Sequence, residues 1–191
     1  MALSDRELMV AFQNGDTDAF GVLYDRYQRQ LLNYFYKMCY DRGQSEDLVQ
    51  ETFLRIVRYA ARYRPEATFR TYLYTVARNL FIDSYRSKKS APKAVSADIR
   101  VGDDGATIGD LLPGHEDVAE AKVQDLEAAA MVRTALEDLP DAQRSVFLLV
   151  VDQGLKYREV AEILDVPVGT VKSRVNAAVT RLRGMLGGQL A

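Results

Sequence analysis

The sequence predicts an all-α protein of two small helical domains joined by a flexible acidic linker. Apolar residues recur at three- and four-residue steps on both sides of the middle of the chain. Between those stretches, Pro92, Gly102, Gly105, Gly109, Pro113 and Gly114 punctuate an interval without periodicity. No segment alternates apolar and polar residues as a half-buried strand would. At 191 residues the chain exceeds the roughly 100–150 residues of the commonest single domain, so each half has room for its own core. The boundaries fall at 1–89 for the first domain, 90–127 for the linker and 128–191 for the second domain.

The elements follow in order. Ser4 and Glu7 form a capping box, in which each side chain satisfies an orphaned amide of the other residue, and a short helix runs from there to about Asn14. Gly15 stops it. Asp16-Thr17 caps a long helix carrying Phe20, Leu23, Tyr27, Leu31, Tyr34, Phe35 and Met38 on one face. After the break at Asp41-Arg42-Gly43, Ser45 is the expected cap of a third helix, with Val49, Phe53, Ile56, Val57 and Ala60 inward until Arg64-Pro65. Phe69, Leu73, Val76, Ala77, Leu80 and Phe81 mark a fourth helix, which ends in the basic cluster Arg86, Lys88 and Lys89. Order returns near Val118. Ala128, Val132, Ala135 and Leu136 precede Leu139-Pro140, and an apolar helix is expected from Ala142 to Val151, closed by Gly154. The rest divides into a helix from Tyr157 to Leu164, a break at Asp165-Val166-Pro167, and a helix from about Thr170 to Leu186.

Composition excludes several classes of function. The formal net charge of −2 rules out a uniformly basic surface, so any grip on phosphate must come from local patches. Cys39 is the sole cysteine, which excludes an intrachain disulfide, and its neighbours Tyr36, Met38 and Tyr40 predict a buried thiol. Asp5, Arg6 and Glu7 stand where a secretory signal needs a basic start and an apolar run. The most apolar stretch, Val146 to Val151, falls far short of the roughly 20 residues of a membrane helix. A cytoplasmic protein without membrane insertion is expected. The single histidine, His115, lies in the linker, and no Cys-His set, glycine-rich phosphate loop or metal-spaced cluster accompanies it. No enzyme, metal or organic cofactor is implied.

The last two helices have the plan of a helix-turn-helix. Ala161 is small enough for a close crossing, Val160, Ile163, Leu164, Val171 and Val175 can share a core, and Pro167 excludes continuation of the first helix. Thr170, Lys172, Ser173, Arg174 and Asn176 fall on the first turns of the second helix, where such modules meet base edges and phosphates. A solvated basic face is the alternative for any one of these charges.

The second half carries Leu136-Glu-Asp-Leu-Pro-Asp-Ala-Gln-Arg-Ser-Val-Phe147, Tyr157-Arg-Glu-Val-Ala-Glu-Ile-Leu164 and Val168-Gly-Thr-Val-Lys-Ser-Arg174. The first half carries Asp18-Ala-Phe20, Asp47-Leu-Val-Gln-Glu-Thr-Phe53 and Phe69-Arg-Thr-Tyr-Leu-Tyr-Thr-Val-Ala-Arg-Asn79. In their order and separation these segments resemble the sigma-70 family of RNA polymerase sigma factors, specifically its extracytoplasmic-function (ECF) group.

That resemblance implies a factor that joins core RNA polymerase to promoter DNA. It implies that Asp47, Gln50, Glu51 and Arg55 contact the polymerase. It places Tyr72 and Asn79 at the minus-10 element, with Arg78, Arg86, Lys88 and Lys89 on backbone phosphate. Tyr72 could instead be a core aromatic. Thr170, Lys172, Ser173, Arg174 and Asn176 are assigned to the minus-35 element, with Arg158 and Arg181 as further phosphate contacts. Ala177 departs from many relatives, which carry a basic residue there. The resemblance also implies an anti-sigma protein as partner and a linker that runs near the RNA path. Two other readings remain at this point: an autonomous DNA-binding regulator, and a helical interaction protein that never opens DNA.

Overall fold

The computed structural model describes residues 3–64, 67–90 and 119–187, all helices and short connections with no strand among them. Most of the expected linker, residues 91–118, lies outside the described residues, as does His115.

Helix α1 (Asp5–Gln13) starts on the expected capping box: the Glu7 amide donates to Ser4 Oγ at 3.3 Å and the Ser4 amide to Glu7 Oε2 at 2.8 Å. The Ser4 hydroxyl, which donates to Glu7 Oε2 at 2.7 Å, and then the Ser4 amide hold the Glu7 carboxyl below its ordinary pKa. Helix α2 (Thr17–Cys39) follows Asp16, whose carboxylate accepts from the amides of Asp18 and Ala19. It ends at Tyr40 in the left-handed region (φ 52°). Cys39 is half-buried, its thiol donating to the Phe35 carbonyl at 3.2 Å.

Helix α3 (Arg42–Arg58) corrects the expectation at Ser45. The cap is Asp41, which accepts from the Gln44 amide at 2.9 Å, while Ser45 lies inside the helix, buried, with Oγ donating back to the Asp41 carbonyl at 2.6 Å. The left-handed turn at Tyr40 brings the chain round quickly enough for the helix to begin before Gly43. Its buried stripe is Leu48, Val49, Thr52, Phe53 and Ile56. Val57, expected inside, is 43% exposed, since it lies about 100° round the helix from Ile56 and outside the stripe. The helix stops at Arg58, short of Arg64, and Ala60–Arg62 make a single 3₁₀ turn.

Helix α4 (Phe69–Ser90) buries Phe69, Leu73, Ala77, Leu80 and Phe81 as expected, and Tyr74 with them. Helix α5 (Ala119–Glu137) opens the second half. Helix α6 (Asp141–Phe147) runs into one π turn over Leu148–Asp152, where a regular helix was expected to Val151. Leu148 and Leu149 are both buried there. Gly154 has φ +67°, a conformation that side chains with a Cβ rarely adopt. Helix α7 (Tyr157–Leu164) and helix α8 (Val168–Gly187) form the helix-turn-helix, α8 starting directly after Pro167 rather than at Thr170. Val160, Ile163, Leu164, Val171 and Val175 are buried between them.

The two helical domains pack on each other. One apolar core runs from α1–α4 into α6 and α7, and within it the rings of Tyr34 and Tyr74 meet edge-on at 5.4 Å. A smaller core joins α5 to α8 through Ala135, Leu136, Leu139, Ala178 and Leu182.

Candidate functional site

Three concave surfaces gather about half of the residues singled out from the sequence. The first lies between α3 and α4, a groove of about 630 Å³ lined by Asp47, Glu51 and Arg55 together with Asp41 and Asp83. Arg55 Nε donates to Glu51 Oε1 at 3.0 Å, and its guanidinium lies 3.8 Å from Asp83. Four carboxylates against one guanidinium leave the groove acidic. Gln50 is exposed and stands outside the lining. By helical spacing it shares the outer face of α3 with Leu54, 56% exposed, and Val57. An apolar centre with a polar rim is the composition of a protein-docking surface.

The second surface belongs to the helix-turn-helix. Lys156, Tyr157, Arg158, Val168 and Lys172 line a groove of about 610 Å³. Three cations and an exposed aromatic ring make it basic, suited to phosphate and to the flat faces of bases. Ser173 is exposed but its hydroxyl donates to the Thr170 carbonyl at 3.0 Å, and Thr170 itself is half-buried. Asn176, Ala177 and Arg181 are exposed further along α8.

Arg174 does not join Lys172. It lines a third surface, a crevice of about 700 Å³ between the two halves, together with Arg78 and Arg86 of α4. On α4, Asn79 is exposed, while Tyr72 is half-buried with its ring 5.3 Å from that of Tyr63. Burial raises the Tyr72 hydroxyl pKa. The two residues are seven apart, hence on one face and about 10 Å from each other along the axis. The side chains of Lys88 and Lys89 lie outside the described residues. Among the described residues, no helix is long and apolar enough to cross a membrane.

Comparison with known proteins gives the family. Residues 23–91 match the model of sigma-70 region 2 and residues 129–182 that of sigma-70 region 4. The chain is 32% identical over 174 residues to the ECF RNA polymerase sigma factor SigW of Bacillus subtilis, covering 91% of this chain and 92% of that one. The chain belongs to the sigma-70 family, in its ECF group. The RNA polymerase sigma-H factor of Pseudomonas aeruginosa is 30% identical over 172 residues, 90% of this chain and 88% of that one. Two solved structures share the fold. CnrH in complex with the cytosolic domain of CnrY superposes with a TM-score of 0.70 at 23% identity, over 96% of this chain and 97% of that one. RpoE of Bartonella quintana, in complex with the anti-sigma factor NepR, gives 0.66 at 21%, over 88% and 96%.

This sigma factor therefore acts in promoter recognition and transcription initiation with RNA polymerase. Its acidic groove is on the region 2 side and its basic groove on the region 4 side. Sequence reasoning missed Asp41, Asp83 and Leu54 in the first half and Lys156 and Tyr157 in the second. Leu54 had a signal: it lies opposite Ser45, Leu48 and Thr52 on α3, so an apolar residue there faces outward.

Proposed function

We propose that this sigma factor holds core polymerase through the outer face and groove of α3 and meets the minus-35 element with the basic groove of α7 and α8. In this reading α4 captures the minus-10 element. The opposite charge of the two grooves carries the proposal, because a protein partner and a DNA partner ask for different surfaces.

Asp47, Gln50, Glu51 and Arg55 form the polar part of the polymerase contact, with Leu54 and Val57 as its apolar part. Lys172 and Arg158 neutralise phosphate beside the recognition helix, and Thr170, Ser173, Asn176 and Arg181 complete that contact. Arg174 joins them once it leaves the crevice. Tyr72 supplies an aromatic face for an unstacked base, an interaction of ~1–3 kcal/mol. Asn79 offers an amide that donates and accepts at once. Arg78, Arg86, Lys88 and Lys89 attract backbone. The protein acts by binding, without chemistry of its own, in the cytoplasm. An anti-sigma partner is part of the proposal, supported by the fold shared with the NepR complex of RpoE.

The test combines the purified protein with core polymerase and a genomic promoter library, followed by sequencing of the RNA 5′ ends. Discrete new starts sharing two upstream elements are expected. Folded protein and active polymerase without new starts would favour a DNA-only regulator or a decoy. Asn79→Ala is expected to impair opening, read by base reactivity in the start region, more than polymerase binding. Equal losses would remove the base-capture role.

A further inference from the structure

The face that α8 turns to solvent is short of side chains that distinguish one base from another. At about 100° per residue, Gly169, Lys172, Ser173, Asn176, Ala177 and Thr180 share it, and all six are exposed. Gly169 brings no side chain, and nothing lies within 4 Å of the place a Cβ would take. Ala177 brings only a methyl. The Ser173 hydroxyl donates to the Thr170 carbonyl at 3.0 Å, so its proton is committed. Thr180 lies about 6 Å further along the axis than Asn176, away from the amino-terminal turns that reach base edges. Lys172 stands at the edge of the face, in the basic groove with Lys156 and Arg158. Arg174, two residues from Asn176 and hence on the other side of the helix, lines the crevice with Arg78 and Arg86.

Asn176 is what remains. Its amide bonds to no other group among the described residues. Two turns of helix put it within about 20° of Gly169, whose missing side chain lets the backbone come close to a duplex along that line. An amide offers a donor and an acceptor side by side. In the major groove adenine presents an acceptor, N7, beside a donor, the N6 amino group, whereas guanine presents two acceptors there and cytosine and thymine one polar group each. We propose that Asn176 sets the base preference of the minus-35 contact by reading one adenine with a bidentate pair, its side-chain nitrogen donating to N7 and its oxygen accepting from the N6 amino group. The inference rests on the assignment of α8 to the minus-35 element and adds the base and the residue that reads it. The cations on either side hold phosphate, which gives affinity without sequence.

The experiment uses the full chain with core polymerase, as wild type, Asn176→Ala and Asn176→Arg. Asn176 is exposed, so both variants spare the core, and circular dichroism with the urea midpoint checks that they fold as wild type does. RNA 5′ ends from a genomic promoter library give the base preference of each chain. Wild-type starts should share an adenine at one fixed minus-35 position. Asn176→Ala should lose the preference there and keep it elsewhere, and Asn176→Arg should move it to guanine, whose two acceptors fit a guanidinium. On the strongest promoter found, 7-deazaadenine at that position removes N7 alone. It should lower wild-type holoenzyme affinity roughly threefold to tenfold, part of what one bidentate pair contributes, and leave Asn176→Ala unaffected. Minus-35 preferences identical in all three chains, or a 7-deazaadenine loss equal in wild type and Asn176→Ala, would overturn the adenine reading and leave the proposed function standing. No starts from wild type would remove both.

Discussion

The groove of α3 and α4 and the groove of α7 and α8 are nearly the same size, about 630 and 610 Å³, and opposite in charge. The first gathers Asp41, Asp47, Glu51 and Asp83 round Arg55, and the second gathers Lys156, Arg158 and Lys172 round Tyr157. The net charge of −2 is thus a sum over surfaces of opposite sign. A nucleic-acid contact survives in an acidic protein when its cations converge locally, because screening confines each charge to about 10 Å at ordinary salt.

The comparison can be broken most severely through the core of the second half. Ile163 is buried between α7 and α8, so Ile163→Ala should cost about 2–5 kcal/mol, read as a shift in the urea midpoint. Duplex binding should fall with it, since Ile163 belongs to the core that holds α7 and α8 together. Reversing one charge in the first groove is the next largest effect. Glu51→Lys removes one of the two carboxylate partners of Arg55 and should weaken polymerase binding on the order of tenfold while leaving duplex affinity unchanged. Competition against the wild-type chain for polymerase measures it, and a matching loss of duplex binding would show that the grooves are not independent.

A smaller effect tests the second groove by salt. Lys172→Ala should reduce the slope of log affinity against log salt by about 1, measured on promoter duplex between low and moderate ionic strength. The same substitution should leave polymerase affinity alone. The smallest effect concerns the seam between the grooves. Burial, assisted by Glu137, pushes the Tyr40 hydroxyl up to about 12 from its ordinary 10, against the pull of Arg144 and Arg133. The folded state thus holds the proton more tightly than the unfolded one. The contribution of Tyr40 is complete below pH 10 and is lost as pH rises through about 12. Tyrosinate absorbance against pH, in wild type and Tyr40→Phe, is expected to show that late-titrating group only in wild type.

Much of this was legible because it is local. The capping box at Ser4 and Glu7, the Asp16 cap and the stripe of α2 each depend on residues within a turn of one another. So does the helix-turn-helix, whose small, apolar and proline positions are separated by fixed numbers of residues. Where the reading failed, a backbone conformation or a side-chain bond that residue type does not announce decided. Ser45 lost the cap to Asp41 because Tyr40 adopts a left-handed turn that no propensity assigns to tyrosine. Val57 was placed inside because it is apolar, yet the stripe of α3 is completed by the small polar side chains of Ser45 and Thr52, both bonded back to their own helix.

The candidate site divides the same way. The family resemblance singled out Asp47, Glu51, Arg55, Arg158 and Lys172, and a helical period explains why those on one helix share a face. Tertiary packing alone decided that Asp83 of α4 would face Arg55 of α3, that Lys156 would join Lys172, and that Arg174 would turn toward Arg78 and Arg86. The sequence by itself determined the helices, the family and the chemistry each surface carries, since these follow from periodicity and residue type. Only the tertiary structure decided which charges converge and that the two halves close on each other, because those contacts join residues as far as 115 positions apart, such as Lys37 with Asp152 and Tyr34 with Ser145.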